Sequence, residues 1–398
     1  MKKASLSVIF LTVFIDLMGF GILIPILPTF ATKELGISDF EIGMVIAIYS
    51  LVQFLLNPVF GKISDKIGRR PVILISLLMT AISYVIFSFT HTFLMLLLSR
   101  LLAGFGGSNI GVAQAYIADI TTKEERSKGM GLIGAAFGLG FVFGPLAGGI
   151  LSKYGYDVAG FGAAGFSSIA FLFAFFALPE SNLDRTESKK FEIKMFDLQF
   201  TKETMKRPVI GMTILMFFII VFSMANIYGT FALIGYKVYH FTDQQIGYLF
   251  GLIGIVGAVI QGGGIRYISN KFNERTLILI GTVFMTIGLG MIPYGQNFLG
   301  VAIVGSVLAI GTGILQPTIL SMVSKYSHDN EQGAILGLNQ SMASFARVLG
   351  PLWGGFAFDF FGYEAPFITG AIFTFLTFLI AAVLLNSNKL DEHAAKVI

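Results

Sequence analysis

The chain has 398 residues, of which 55% are hydrophobic and only 13% charged, with a net charge of +4. A charged share about half the globular norm of roughly 25% leaves more apolar side chains than a soluble interior could hide, so an ordinary water-soluble enzyme is excluded. Unbroken apolar runs exclude a β-barrel, the 14% aromatic content excludes disorder, and the absence of cysteine removes disulfides and cysteine metal sites.

In chain order, twelve apolar runs are long enough to cross a bilayer as helices: 6–28, 40–60, 71–91, 93–117, 129–152, 159–178, 208–234, 243–265, 275–294, 298–323, 331–357 and 364–386. The expected fold is therefore an all-α membrane protein of twelve transmembrane helices. Met1-Lys2-Lys3 ahead of an apolar stretch mimics a signal peptide. Asp16 interrupts that stretch, and Pro25 and Pro28 are read as ending it, so it counts as the first span. The longest polar gap, 179–207, separates an expected N-terminal six-helix bundle (1–178) from a C-terminal one (208–398).

Lysine and arginine set the orientation. All but five of the 27 fall in loops or termini of one membrane side. Lys33, Lys153 and Lys237 fall on the other side, and Arg100 and Arg347 lie inside spans. This bias predicts that both termini and 179–207 are cytoplasmic, as an even number of spans requires.

The halves repeat at an offset of 204 to 207 residues. Ser38-Asp39-Phe40-Glu41-Ile42-Gly43 parallels Thr242-Asp243-Gln244-Gln245-Ile246-Gly247. Ser64-Asp65-Lys66 and Arg70 parallel Ser269-Asn270-Lys271 and Arg275. Gly144-Pro145-Leu146-Ala147-Gly148-Gly149 parallels Gly350-Pro351-Leu352-Trp353-Gly354-Gly355. Six helices return the chain to the same side, so the bundles are pseudo-symmetric parallel repeats, an arrangement that places a substrate site at their interface near the midplane.

Ionisable residues inside spans are costly and usually functional. Asp16 lies about 15 Å into the first helix, and it is the acidic residue placed deepest in a span. A carboxyl group that loads and releases a proton there suits proton coupling; the plainer reading is a structural hydrogen-bonder. Arg100, about seven residues into the fourth helix, needs a partner, and Asp16 is its expected counter-ion. Arg347 in the eleventh helix reads equally well as an anchor for an anionic substrate or as a snorkelling cation near carbonyls freed by Pro351.

Candidate cavity residues are Gln53, Asn57, Asn109 and Gln114 in the first half. Asn226, Tyr228, Gln261, Gln316, Asn339, Gln340 and Arg347 are those of the second. Many such polar groups instead bond between helices.

Gly61-Lys62-Ile63-Ser64-Asp65-Lys66-Ile67-Gly68-Arg69-Arg70 lies between the second and third spans, where Gly61 and Gly68 are expected to permit tight turns. Gly138, Gly140, Gly144, Gly148 and Gly149 give the fifth helix a close-packing face, with Pro145 allowing a kink.

The 61–70 segment resembles the G-x-x-x-D-x-x-G-R-R loop signature of the major facilitator superfamily. Arg100 through Gly107 is similar to its fourth-helix arginine motif. Gly140, Gly144, Pro145, Gly148 and Gly149 resemble the fifth-helix motif of its drug–proton antiporters. With Ala115-Tyr116-Ile117-Ala118-Asp119-Ile120-Thr121 and Phe14 through Pro28, the likeness is to the tetracycline-pump and multidrug branch. The resemblance implies a cytoplasmic gating network of Asp65 with Arg69 or Arg70 and with Asp119. It also implies proton coupling through Asp16 and Arg100. Where the resemblance leads one to expect acids in helices three and nine and a histidine in helix eight, this chain has Ser83, Met285 and Gly257, which argues against tetracycline itself.

Nothing resembles a phosphate-cradling loop, a metal cluster or a nucleophile–base pair, so neither an ATP-driven pump nor an enzyme is expected. The basic residues are dispersed, so no nucleic-acid partner is expected. The expected protein is a monomeric, cofactor-free exporter of small amphipathic organic compounds. It would be driven by a proton gradient in a bacterial cytoplasmic (inner) membrane. The alternatives are a transporter or exchanger of a specific anionic metabolite, favoured by the two in-span arginines, and a membrane sensor. The sensor would need a soluble domain that 179–207 is too short to supply.

Overall fold

The computed structural model describes residues 5–122, 126–182, 198–327 and 332–384, and no strand occurs among them. Twelve long helices follow one another: α1 (Leu6–Lys33), α2 (Asp39–Ile67), α3 (Arg69–Ser88), α4 (Phe93–Ile120), α5 (Arg126–Leu151) and α6 (Tyr156–Ala177). After them come α7 (Pro208–Lys237), α8 (Asp243–Val259, continued through a π-turn over Ile260–Gly264 to Ser269), α9 (Glu274–Met291), α10 (Phe298–Lys325), α11 (Gln332–Phe361) and α12 (Ala365–Leu384). Eleven of the described helices are long and apolar enough to span a bilayer by length and composition alone. The helix outside that measure is α11, whose apolar residues are diluted by Asn339, Gln340, Ser341, Ser344 and Arg347.

Helix ends follow local chemistry. Ser38 and Glu41 form a reciprocal capping box at the start of α2, and Thr92, Asn273 and Asn297 cap α4, α9 and α10. Two sequence expectations are corrected. Pro25 and Pro28 do not end the first helix, which runs on to Lys33. Surrounding helices bury this stretch and hold it helical despite the two missing amides. Gly61 makes no turn: α2 continues to Ile67, and only Gly68, at φ 106°, breaks the chain direction. The expected polar gap also contains a short helix, Leu198–Lys206.

Outer faces are apolar as well as inner ones. On α3, Ile73, Leu77, Tyr84 and Phe87 are buried while Ile75, Leu78, Ile82 and Val85 are exposed, as lipid rather than water requires.

Contacts group the chain into two compact units, Met1–Met195 with His240–Gly251, and Phe196–Tyr239 with Leu252–Ile398. In the first, α1 packs on α5 and α6, and α3 on α4 and α6. In the second, α7 packs on α11 and α12, and α9 on α10 and α12, which is the same pairing six helices later. The likeness reaches single side chains. Arg70 Nη2 donates to the Phe175 carbonyl at the end of α6 (2.7 Å), and Arg275 Nη2 donates to the Ala382 carbonyl near the end of α12 (2.8 Å). The glycine motif works alike in both. Side chains at Gly144 and Gly148 would meet the α1 backbone at Gly21 and Ile22, and side chains at Gly350 and Gly354 would meet the α7 backbone around Asn226. The start of α8 belongs to the first unit, where Asp243 pairs with Lys33 (3.4 Å) and accepts from the Tyr156 hydroxyl (2.9 Å).

Candidate functional site

Two polar clusters stand out in the first unit. The inner one surrounds Asp16, which is 8% exposed midway along α1. Ser167 Oγ on α6 donates to Asp16 Oδ1 at 3.0 Å, and Asn109 on α4 faces the same carboxyl group. Gly19 makes this geometry possible, because a side chain there would press on the Ala163 carbonyl and on Ser167, holding α1 away from α6. Asn109 is delivered by a break in α4, where Gly107–Asn109 form a 3-10 turn with non-helical Ser108 between two α-helical stretches. Gln53 on α2 secures that break by donating to the Gly107 carbonyl and to the Tyr49 hydroxyl, both at 2.9 Å.

The expected Asp16–Arg100 ion pair is not present. Arg100 is 4% exposed, its Nε donates to Ser99 Oγ at 3.4 Å, and its Nη2 has no hydrogen-bond partner. Its guanidinium instead lies over the rings of Tyr84 and Phe87, 5.6 and 5.5 Å from their centres. Aromatic faces accept a cation that lacks a carboxylate, which is why burial of Arg100 is tolerated.

The second cluster is at the Arg69 end of the helices. Arg69 Nη1 contacts Asp65 Oδ1 at 2.5 Å and Ser64 Oγ at 2.6 Å, and Arg69 Nε contacts Asp119 Oδ2 at 3.1 Å. Of the two adjacent arginines, Arg69 is therefore the one in the network with Asp65 and Asp119. Glu180, which sequence reasoning missed, completes it. Its carboxylate accepts the backbone N–H groups of Arg69 (2.8 Å), Arg70 (3.2 Å), Ser181 (3.0 Å) and Asn182 (3.1 Å), capping α3 where Gly68 has no side chain to do so. Ser181 Oγ adds a bond to Asp119 at 2.9 Å, and Asn182 donates to the Asp65 carbonyl at 3.1 Å. An acid three residues beyond an apolar helix was the available signal for Glu180, but nothing local says that it folds back onto a helix start over a hundred residues earlier.

Other expected residues scatter. Asn57 Oδ1 is buried without a partner, whereas Gln114 and Gln261 are exposed. Of the antiporter motif, Gly140 meets Leu17 and Gly149 meets the start of α8, while Pro145 lies against Gly21. In the second unit, Asn226 is buried and donates to the Pro366 carbonyl at 2.5 Å, so it ties α7 to α12 rather than lining a cavity. Asn339 is fully buried with neither end of its amide bonded. Gln316 is half-buried and Gln340 exposed. Arg347 Nη2 donates to Ser344 Oγ at 3.0 Å, and Tyr228 on α7 is half-buried. No group of three or more metal-ligating side chains occurs among the described residues.

The family model described as Major Facilitator Superfamily matches residues 9–266 and 265–397. The tetracycline resistance protein, class C, of Escherichia coli is 31% identical over 356 residues, covering 87% of this chain and 88% of that protein. Multidrug resistance protein 2 of Bacillus subtilis (strain 168) is 28% identical, covering 90% of each. The crystal structure of the human organic anion transporter MFSD10 (TETRAN) superposes with a TM-score of 0.70 at 24% identity, covering 94% of this chain and 98% of that one.

Proposed function

The chain belongs to the Major Facilitator Superfamily, and on that premise we propose that it is a proton-coupled exporter of small amphipathic organic compounds. It is a multi-pass membrane transporter and not an enzyme. The observation that carries the proposal is Asp16. Among the described residues it is the one buried carboxyl group in the middle of a span, and it accepts from the Ser167 hydroxyl on a neighbouring helix. A carboxylate in hydrocarbon is costly, and protonation removes that cost, so one site links proton occupancy to the packing of α1 on α6. Relatives named for tetracycline and multidrug resistance support the drug-like substrate class. In this reading the energy source is the proton gradient across a bacterial cytoplasmic membrane, no cofactor is needed, and the monomer is the working unit.

The test is a substrate panel on proteoliposomes with an imposed pH gradient. Wild type accumulates lipophilic drug-like compounds in a gradient-dependent way, and Asp16→Asn, still folded and inserted, loses that dependence. Undiminished gradient-driven accumulation in Asp16→Asn defeats the proposal. A second reading, transport of an organic anion, is favoured by Arg100, whose buried guanidinium leaves Nη2 unbonded. In the same panel it requires that anionic compounds be carried and that Arg100→Gln abolish their transport selectively.

A further inference from the structure

Arg69 and Arg70 are adjacent in sequence and opposite in surroundings. Arg69 is buried and matched by two carboxylates and a hydroxyl. Arg70 is partly exposed, and among the described residues no carboxylate reaches its guanidinium. Only its Nη2 is engaged, by the Phe175 carbonyl, while the planar fork rests 5.6 Å from the centre of the Phe175 ring. A guanidinium has five N–H donors, so most remain for another acceptor.

Arg70 lines a groove of about 290 Å³ whose other walls are the 175–179 stretch and Glu180. The carboxylate of Glu180 keeps its charge but is directed at four backbone N–H groups, and no bond joins it to the Arg70 guanidinium. The groove opens at the end of an apolar stripe on the outer face of α6. Ile169 and Leu172 are 53% and 52% exposed there, and Phe176 is 69% exposed at the stripe's end. Spacings of three and four residues keep these side chains on one helical face. An apolar track that ends in a planar cation with spare N–H donors matches a molecule with a long hydrocarbon chain and a phosphate headgroup.

We propose that the groove between Arg70 and the end of α6 binds an anionic phospholipid, with the phosphate on the Arg70 guanidinium and an acyl chain along Ile169, Leu172 and Phe176. Arginine suits phosphate because its fork donates two parallel hydrogen bonds. The lipid would brace the junction between α3 and α6, next to the Arg69 network but separate from it. The inference rests on the membrane location of the chain and is independent of what it transports.

The test uses the full-length protein in neutral detergent, with lipid retention counted by native mass spectrometry and no substrate or pH gradient present. Dioctanoyl phosphatidylglycerol is retained in preference to dioctanoyl phosphatidylcholine by wild type. Arg70→Gln weakens phosphatidylglycerol binding about fivefold, the effect of one basic residue at a membrane surface, and leaves phosphatidylcholine unchanged. Arg70→Lys keeps part of the preference, and Phe176→Ala weakens both lipids. Unaltered phosphatidylglycerol binding in Arg70→Gln overturns the proposal. So does displacement of the lipid by an equal concentration of inorganic phosphate, which would reveal a site for a free anion. If Arg70→Gln does not fold, equal retention of the two lipids by wild type or by Phe176→Ala overturns it instead.

Discussion

Removing the Glu180 carboxylate tests whether the segment after α6 holds the Arg69 cluster in place. Glu180 caps α3 from outside the helix, accepting the N–H groups of Arg69 and Arg70 at 2.8 and 3.2 Å. Loss of such a cap costs about 1 kcal/mol, and loss of a negative charge at a helix start adds about 0.5 kcal/mol. Glu180→Ala should therefore destabilise by about 1.5 kcal/mol, and Glu180→Gln, which keeps one acceptor oxygen, by about half as much. In a protein of this size that lowers the unfolding midpoint by about 2 °C, readable by a thermal scan in detergent. Gly68 supplies the control. At φ 106° it is in a region that disfavours side chains, and a Cβ there would run into the Glu180 carboxylate. Gly68→Ala alone thus carries both a backbone penalty and a collision. In the Glu180→Ala background only the backbone penalty is left, about 1 to 2 kcal/mol. The two substitutions should be clearly less than additive in a double-mutant cycle. Strict additivity, or an unchanged midpoint in Glu180→Ala, would refute the claim that this carboxylate caps α3.

On α5, Gly148→Val should cost about 1 to 3 kcal/mol or more, because its Cβ has only the Ile22 backbone to occupy. Gly138→Ala, with nothing near its Cβ, should be neutral or stabilise by up to about 1 kcal/mol; the same thermal scan compares them, and equal losses would discount the close packing of α1 on α5. Orientation can be read by single-cysteine labelling, since the chain has no cysteine of its own. In intact cells an impermeant maleimide should label a cysteine placed at Gly155 or His240 and spare one placed at Asn182; the reverse pattern would invert the topology.

Much of what depends on neighbours along the chain was legible from the residues alone, although helices run on through Pro25, Pro28 and Gly61 where local signals suggested breaks. Apolar runs became helices because a backbone in hydrocarbon must satisfy its own hydrogen bonds, whatever packs beside it. The repeat was legible for a related reason: equal spacing of Gly-Pro motifs and arginines reproduces the same helix pairing, down to Arg70 and Arg275 each reaching a carbonyl near the end of the last helix in its half. The deep position of Asp16 followed from counting residues along one helix.

Partnership was decided only by the tertiary structure. Two in-span charges of opposite sign suggested a pair, yet Asp16 is met by Ser167 and Arg100 by the Tyr84 and Phe87 rings. Depth along a helix can be counted in residues, but rotation about its axis is set by packing, here by the close approach at Gly19. Arg69 and Arg70 could not be told apart in sequence. One residue of helical advance turns a side chain by about 100°, which is enough to bury one guanidinium among carboxylates and to leave its neighbour facing a groove. Glu180 lay more than a hundred residues from the helix it caps, and no spacing rule reaches that far, because only the folded bundle brings the end of α6 beside the start of α3.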